Sequence, residues 1–483
     1  MLTDHDPKDA LNFFEAISYI PRGSGNENRI SDFLVAFAKE RGFWVHQDKA
    51  LNVVIKKPGT KGLENVPPVI LQGHMDMVCE KNAATLHDFE KDPLKLVIEG
   101  DFLMAEGTTL GADNGAAVAM ILALLDSRDI PHPPLEVLVT TGEEVGLLGA
   151  AEIDGTIFEG RLLINLDSGE EGIFCVSCAG GGRADISYVP EYSELPAGHS
   201  VKTLKVRGLK GGHSGIDITK ERGNSNRILG RVLWTLMEKF GVQFTNINGG
   251  SKENAIPREA EAVIAFAAPR MKEVADEIAE IEKALKREYA TSDSGLTLSI
   301  DDCDSNIESV FSQPFCARFV SALLLLPNGV QAMSLVLKGL PETSLNIGVV
   351  STTKDRVSIA CSIRSSVASR KEMLLAQLKA ASETTGGKLG VSGLYPAWEY
   401  NEKSALREKT MRAFTEMFGK EPLVRGTHGG LECGIFSEKI PGVDIVSFGP
   451  DIHNMHTPNE KMSIPSFART WQFLIKLLAK LAE

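Results

Sequence analysis

No stretch of this sequence holds the ~18–20 consecutive apolar residues that a membrane-spanning helix needs. The best run, SALLLLP, is far too short. No secretory leader is expected either, since MLTDHDPKDALNFF is acidic and does not carry the basic and then apolar segments of one. There is no disulfide framework: the seven cysteines are scattered and odd in number, which suits a reducing compartment. Cys175 and Cys178 make one C-x-x-C, but no second pair completes the four ligands of a structural zinc site. Positive charge is also in deficit. With 51 Lys and Arg against 64 Asp and Glu, the net charge of −13 leaves no basic stripe for nucleic acid. The expectation is a cytoplasmic protein that engages neither membrane nor nucleic acid and handles small substrates or cations.

At 483 residues the chain is too long for one ordinary core. It opens with helical spacing, Leu11, Phe14 and Ile17, then Ile30, Phe33, Leu34 and Phe37 after PRGSGNE. Short apolar strands follow in NVVIKK, PPVILQGH, LEVLVTTGEE and LLINLDSGE, with the apolar helix AAVAMILALLDS between the second and third. Strands alternating with helices predict an α/β domain whose sheet is mixed but largely parallel and flanked by helices. From about residue 184 the texture changes: DISYVPEY, TLKVRGLK and EAVIAFAA alternate like half-exposed antiparallel strands, joined by amphipathic helices. Within this stretch TNINGGSKENAIPREAEAVIAF and LNIGVVSTTKDRVSIACSIR align at an offset of 100 residues, matching Asn246 with Asn346, Ile247 with Ile347 and Ser251 with Ser351. The expected organisation is a discontinuous α/β domain, 1–183 and 397–483, interrupted by an internally duplicated α+β domain at 184–396.

Metal-type ligands follow the buried runs of the first domain. LQGHMDM carries His74 and Asp76, LGADNG carries Asp113, TTGEEVG carries Glu143 and Glu144, and NLDSGE carries Asp167. FGPDIHNMHTPNE adds His453 and His456. Each has a plain reading when taken singly: a core histidine, turn chemistry at Asp113, a loop cap at Asp167, a solvated strand end at Glu143 and Glu144. Jointly those readings fail, because one sheet rarely ends four successive segments on the same ligand chemistry. Carboxylates with imidazoles suit Zn²⁺, Co²⁺ or Mn²⁺. Five such ligands exceed what one catalytic zinc takes, whereas two ions sharing a bridging carboxylate would use them all.

In this order GHMDMV, GADNGAAVAM, TTGEEVGLLGA, NLDSGE and GGHSG resemble the co-catalytic metallopeptidases of the M20 clan. With THGGLECGIF included, the resemblance is closest to the aminoacyl-histidine (Xaa-His, peptidase D) dipeptidase branch and spans nearly the whole chain. It implies that His74 and Asp167 hold one ion, Glu144 and His456 the other, and Asp113 both, zinc being the first expectation. It further implies that Asp76 orients His74 and that Glu143 is the general base. The inserted domain becomes a lid in which His213 stabilises the oxyanion, and the Asp113–Asn114 bond becomes cis. His428 and Gly430 are expected to line a loop beside the substrate. The family's lid carries Asn-x-Ile-Pro, as in Asn254-Ala-Ile-Pro257, followed by an arginine. In the strand after it, EAVIAFAAP, no arginine appears until Arg270, beyond Pro269, so Arg364 is expected to bind the substrate carboxylate. Glu432, Cys433 and His453 read as supporting residues.

The implied activity is hydrolysis of unblocked dipeptides with C-terminal histidine preferred, by a homodimer. The rivals are an N-acyl amino acid deacylase or carboxypeptidase of the same clan, and a non-catalytic metal-binding descendant.

Overall fold

The computed structural model describes Leu2, 5–303 and 306–483. Contacts divide the chain into two compact units: Met1–Cys178 with Tyr400–Gly426 and Leu431–Glu483, and Ala179–Glu399 with Thr427–Gly430.

In the first unit an eight-stranded sheet runs in the order Trp44–Gln47, Val53–Lys57, Leu135–Thr140, Val69–His74, Leu162–Asn165, Asp444–Ser447, Ile173–Cys178 and Leu423–Thr427. Its third to sixth strands pair in parallel, while the first two join antiparallel. Val69–His74 and Leu135–Thr140 are buried at every position. That is why they read as continuous apolar runs instead of alternating ones. Helices Lys8–Ser18, Asn28–Glu40, Ala112–Asp126, Ala405–Phe418 and Ile464–Leu481 also contribute to the core. Ala112–Asp126 is buried continuously from Asn114 to Leu125, so it is apolar all round. A small antiparallel sheet of Ile452–His453, Lys461–Ser463, Phe102–Ala105 and Leu96–Glu99 anchors both ends of the segment that carries His456.

One expectation needs correction. Asp113 does not end a strand; it lies in the first turn of helix Ala112–Asp126, where it and Asn114 leave helical geometry. The peptide between them is cis. Asn114 then ties strand ends together, accepting from His74 N at 3.2 Å and donating to Leu166 O at 2.9 Å. Gly73 must be glycine for this, since a Cβ there would fall 2.5 Å from Asn114 Oδ1. Three strands, not four, deliver ligands.

The second unit is an antiparallel sheet in the order Thr297–Asp302, His199–Arg207, Ala260–Ala267, Gln243–Gly249, Pro341–Thr352, Val357–Ser365, Gly180–Tyr188 and Lys388–Tyr395. Gly329–Met333 also pairs with Pro341–Thr352. Helices Ser225–Phe240, Met271–Glu288, Gln313–Leu325 and Ala368–Thr384 contribute to its core. The strands carrying Asn246 and Asn346 meet at the middle of the sheet, Gly249 facing Val350, and each is interrupted by a bulge. Among the described residues no helix is long and apolar enough to cross a membrane.

Candidate metal centre

His74, Asp113, Glu144, Asp167 and His456 converge at the carboxyl ends of the parallel strands, where α/β sheets collect their ligands. Three groups form, His74–Asp113–Asp167, Asp113–Glu144–His456 and His74–Glu143–Glu144, each with ligand atoms within 4.8 Å of one another. The first two share Asp113, and its two oxygens part company. Oδ1 lies 3.2 Å from His74 Nε2, while Oδ2 lies 3.2 Å from His456 Nε2. Asp167 Oδ1 approaches His74 Nε2 at 3.6 Å, and Glu144 Oε2 approaches His456 Nε2 at 3.1 Å.

So many acids together distort their own protonation. Burial, then neighbouring Asp113, pushes Asp167 up to about 6 although His74 opposes it. Burial opposes a proton on His74, yet Asp167, Asp113 and Asp76 hold that imidazole well above its ordinary range. Hydrogen bonds to Asp113 and Glu144 raise His456 to about 10. Glu144 Oε1 is buried with no partner. The same oxygen and nitrogen atoms that favour a proton on each imidazole are of the kind that binds a divalent cation. The donors suit Zn²⁺, Co²⁺ or Mn²⁺, and a shared carboxylate suits two ions.

The adjacent acids separate as their turn requires. Glu144 joins the second triad. Glu143 is absent from both groups that share Asp113, though it meets His74 and Glu144 in the third, and it lines a cavity of about 220 Å³ together with Asp113, Asp167, Leu431 and Met455. Burial drives Glu143 well above the ordinary carboxylate range, and Asp167, Glu432 and Glu144 add to the effect despite His74. A carboxylate so poised readily takes up a proton.

Asp76 does more than orient an imidazole. Its Oδ1 lies 3.3 Å from His74 Nδ1, which also meets the Asp76 carbonyl at 3.1 Å. The same carboxylate accepts Glu143 N at 3.1 Å, Glu144 N at 3.3 Å and Ser24 Oγ at 2.7 Å. One buried acid therefore fixes His74 and the two-acid turn together. Glu27 assists by accepting Gly142 N at 3.1 Å.

Beneath the ligands runs a polar network that the sequence does not announce. Gln72 Nε2 donates to Glu432 Oε2 at 2.6 Å, Thr140 Oγ1 donates to the same oxygen at 2.8 Å, and Asn165 Nδ2 donates to Gln72. Burial pushes Glu432 up to about 8. Cys433 is buried, and His453 sits edge-on to Phe102. Among the described residues Cys175 and Cys178 join no metal-type group.

The remaining expected residues belong to the second unit. Gly212–His213 pairs with Ala255–Ile256, which places His213 beside the loop of Asn254. His213 Nδ1 accepts the N–H groups of Gly215 and Ile216, both at 3.2 Å. The ring proton is thereby assigned to Nε2, leaving an N–H free to donate. Burial and then Arg364 lower the basicity of His213. Arg364 Nη1 donates to His428 O at 3.2 Å, its Nε is buried without a partner, and it forms no ion pair among the described residues. His428 is itself buried, 2.7 Å from Ser344 Oγ, and burial followed by Arg364 pushes it down to about 4. Gly430 is half-buried, and a Cβ there would lie 2.8 Å from the ring of Tyr395. Asn254 is exposed, and its carbonyl accepts Ser214 N at 2.9 Å.

Three comparisons with known proteins bear on this centre. The profile of Peptidase family M20/M25/M40 matches residues 70–480. The chain is 39% identical over 480 residues, 99% of each protein, to the cytosol non-specific dipeptidase of Escherichia coli (strain K12). The crystal structure of aminoacylhistidine dipeptidase from Vibrio alginolyticus superposes with a TM-score of 0.94 at 37% identity, covering 99% of this chain and 98% of that one. Aminopeptidase PepT from Bacillus cereus shares the fold, with a TM-score of 0.58 at 18% identity over 99% of this chain and all of its own, 100%.

Proposed function

The chain belongs to Peptidase family M20/M25/M40, and from that premise we propose that it is a two-metal dipeptidase acting on unblocked dipeptides, with C-terminal histidine preferred. The observation that carries the reading is the pair of ligand triads sharing Asp113 through opposite oxygens. His74, Asp113 and Asp167 would hold one divalent ion, and Asp113, Glu144 and His456 the other, zinc being the first choice and cobalt or manganese acceptable to the same donors. When bound, the ions supply Lewis acidity that makes water nucleophilic near neutral pH.

The chain's own groups do the rest. Glu143 receives the proton of the attacking water on its carboxylate and passes it to the nitrogen of the leaving amine, which its raised proton affinity favours. Asp76 holds that acid's backbone and the His74 ring in fixed relation. Arg364, a cation without a carboxylate partner among the described residues, grips the substrate's α-carboxylate. His213 donates its Nε2 proton to the carbonyl oxygen as negative charge develops there. We assign Asn254 to the same substrate-facing loop, and His428 to positioning Arg364 through its carbonyl. An acidic pocket for the free amine and a basic grip for the carboxylate together favour a dipeptide over a long chain. A homodimer in the cytoplasm belongs to the same proposal; the E. coli relative is called cytosolic.

The test is a substrate panel on zinc-loaded protein: β-alanyl-histidine, α-Xaa-His, Xaa-Leu and their N-acetylated forms. The expected result is fastest turnover of free Xaa-His and none of the N-acetylated peptides. Equal rates on all free dipeptides would remove the histidine preference. Turnover of N-acetylated substrates would make the protein a deacylase.

A further inference from the structure

We propose that Arg22 and Glu460 form a clamp on residues 110–113 that sets Asp113 between its two ligand partners, which makes both of them positioning residues for the reaction. The inference rests on the two-ion reading above. Glu460 is 2% exposed, and its carboxylate accepts four successive backbone N–H groups. Leu110 and Gly111 donate to Oε2 at 2.8 and 2.9 Å, and Ala112 and Asp113 donate to Oε1 at 2.8 and 3.2 Å. Four donors on two oxygens use the carboxylate as an acceptor at both ends.

Arg22 acts on the opposite side of the same backbone. Its Nη2 donates to Gly111 O at 2.6 Å, and its Nη1 to Met75 O at 3.0 Å and Asp76 O at 3.3 Å. One buried guanidinium therefore joins the turn of His74 and Asp76 to the turn of Asp113. Two glycines of LGADNG are there to admit it. A Cβ on Gly115 would come within 2.6 Å of Arg22 Nη2, and one on Gly111 within 2.7 Å. Gly111 also has a φ of +65°, which an L side chain would strain. Three separated motifs, PRGSG, LGADNG and TPNEK, thus build one support.

The consequence follows from charge. Asp113, Glu144 and Asp167 repel one another, and a free 110–113 segment would relieve that repulsion by moving Asp113 outward. An Asp113 displaced toward either triad leaves the other short of an oxygen. Anchored from its N–H side by Glu460 and from its carbonyl side by Arg22, the segment keeps its place before any ion arrives. Preorganisation of this kind bears most on the ion that binds second.

The test compares wild type with Glu460→Gln and Arg22→Lys by calorimetric titration with Zn²⁺, by the exchange-coupled EPR spectrum of Mn²⁺-loaded protein, and by kcat and KM separately. Both variants are expected to fold and to bind one ion as wild type does. The second ion should bind about 10–100-fold more weakly, the coupled spectrum should fade, and kcat should fall with KM little changed. Two ions bound at wild-type affinity with an unaltered coupled spectrum, whatever the melting temperature, would overturn the clamp. So would failure of both variants to fold, because the pair would then support the whole unit and not the ligand turns. Wild type taking up fewer than two ions would instead remove the two-ion reading, and the clamp with it.

Discussion

His74 and His456 stand among carboxylates in the first unit, whereas His213 and His428 stand beside Arg364 in the second. The first pair is driven toward the imidazolium form, His456 as far as about 10. The second pair is driven toward the neutral form by burial and a cation, His428 as far as about 4. The same side chain is thus given opposite proton affinities within one polypeptide. The anionic cluster gathers ligand atoms of the kind that could hold metal. In the second unit the acid beside His213 is Asp217, which opposes the effect of burial and Arg364 without cancelling it.

The contrast can be broken most severely by taking away the ions. Chelation should reduce hydrolysis to background, and Zn²⁺, Co²⁺ or Mn²⁺ should restore it; full activity after exhaustive chelation, checked by elemental analysis, would contradict the first half of the comparison. Next in size is Glu143→Ala, which should keep both ions yet lower kcat by about 10²–10⁴-fold. Loss of ions in that variant would mean that Glu143 and Glu144 have exchanged roles.

Arg364→Met probes the second region. Deleting a charged hydrogen-bond donor worth about 1.5–3 kcal/mol should raise KM roughly 10–150-fold for free dipeptides. Dipeptide amides should be unaffected, so an equal rise for amides would show that Arg364 does not read the carboxylate. The smallest effect concerns pH. His428 is neutral in the folded protein down to about 4, while the unfolded chain takes up its proton near 6.5. Between those values the unfolded state binds more protons, so this contribution is complete above about 6.5 and is lost as pH falls toward 4. Metal-free protein should therefore melt a few degrees lower at pH 4.5 than at 7 on this account, and His428→Gln should flatten that dependence.

How far the sequence is legible differs between the same two regions. In the first unit the buried strands announce themselves as apolar runs, and the ligands stand at or beside their ends, so the runs and the ligands point to each other. Asp113 is the exception, because LGADNG reads as a turn while the fold makes it the broken start of a helix. Arg22, Gln72 and Glu460 escape reading altogether, and Glu432 reads only as a supporting residue without its partner. Each is a buried polar residue whose meaning lies in a distant partner: Gln72 meets Glu432 across 360 residues, and Glu460 meets Asp113 across 347. No local pattern encodes such a pairing.

In the second unit alternation exposes the longer strands, but helix Ala368–Thr384 buries only Leu374, Leu378 and Ser382 and carries little periodic signal. Gly430 has a packing reason that no neighbouring residue suggests, since a side chain there would crowd Tyr395.

The central claim is that Asp113 is shared between two ions. Anomalous diffraction at the zinc edge from zinc-loaded crystals tests it directly. The account predicts two peaks, one beside His74 and Asp167 and the other beside Glu144 and His456, with Asp113 between them. A single peak, or two peaks that leave Asp113 bound to only one, would contradict it.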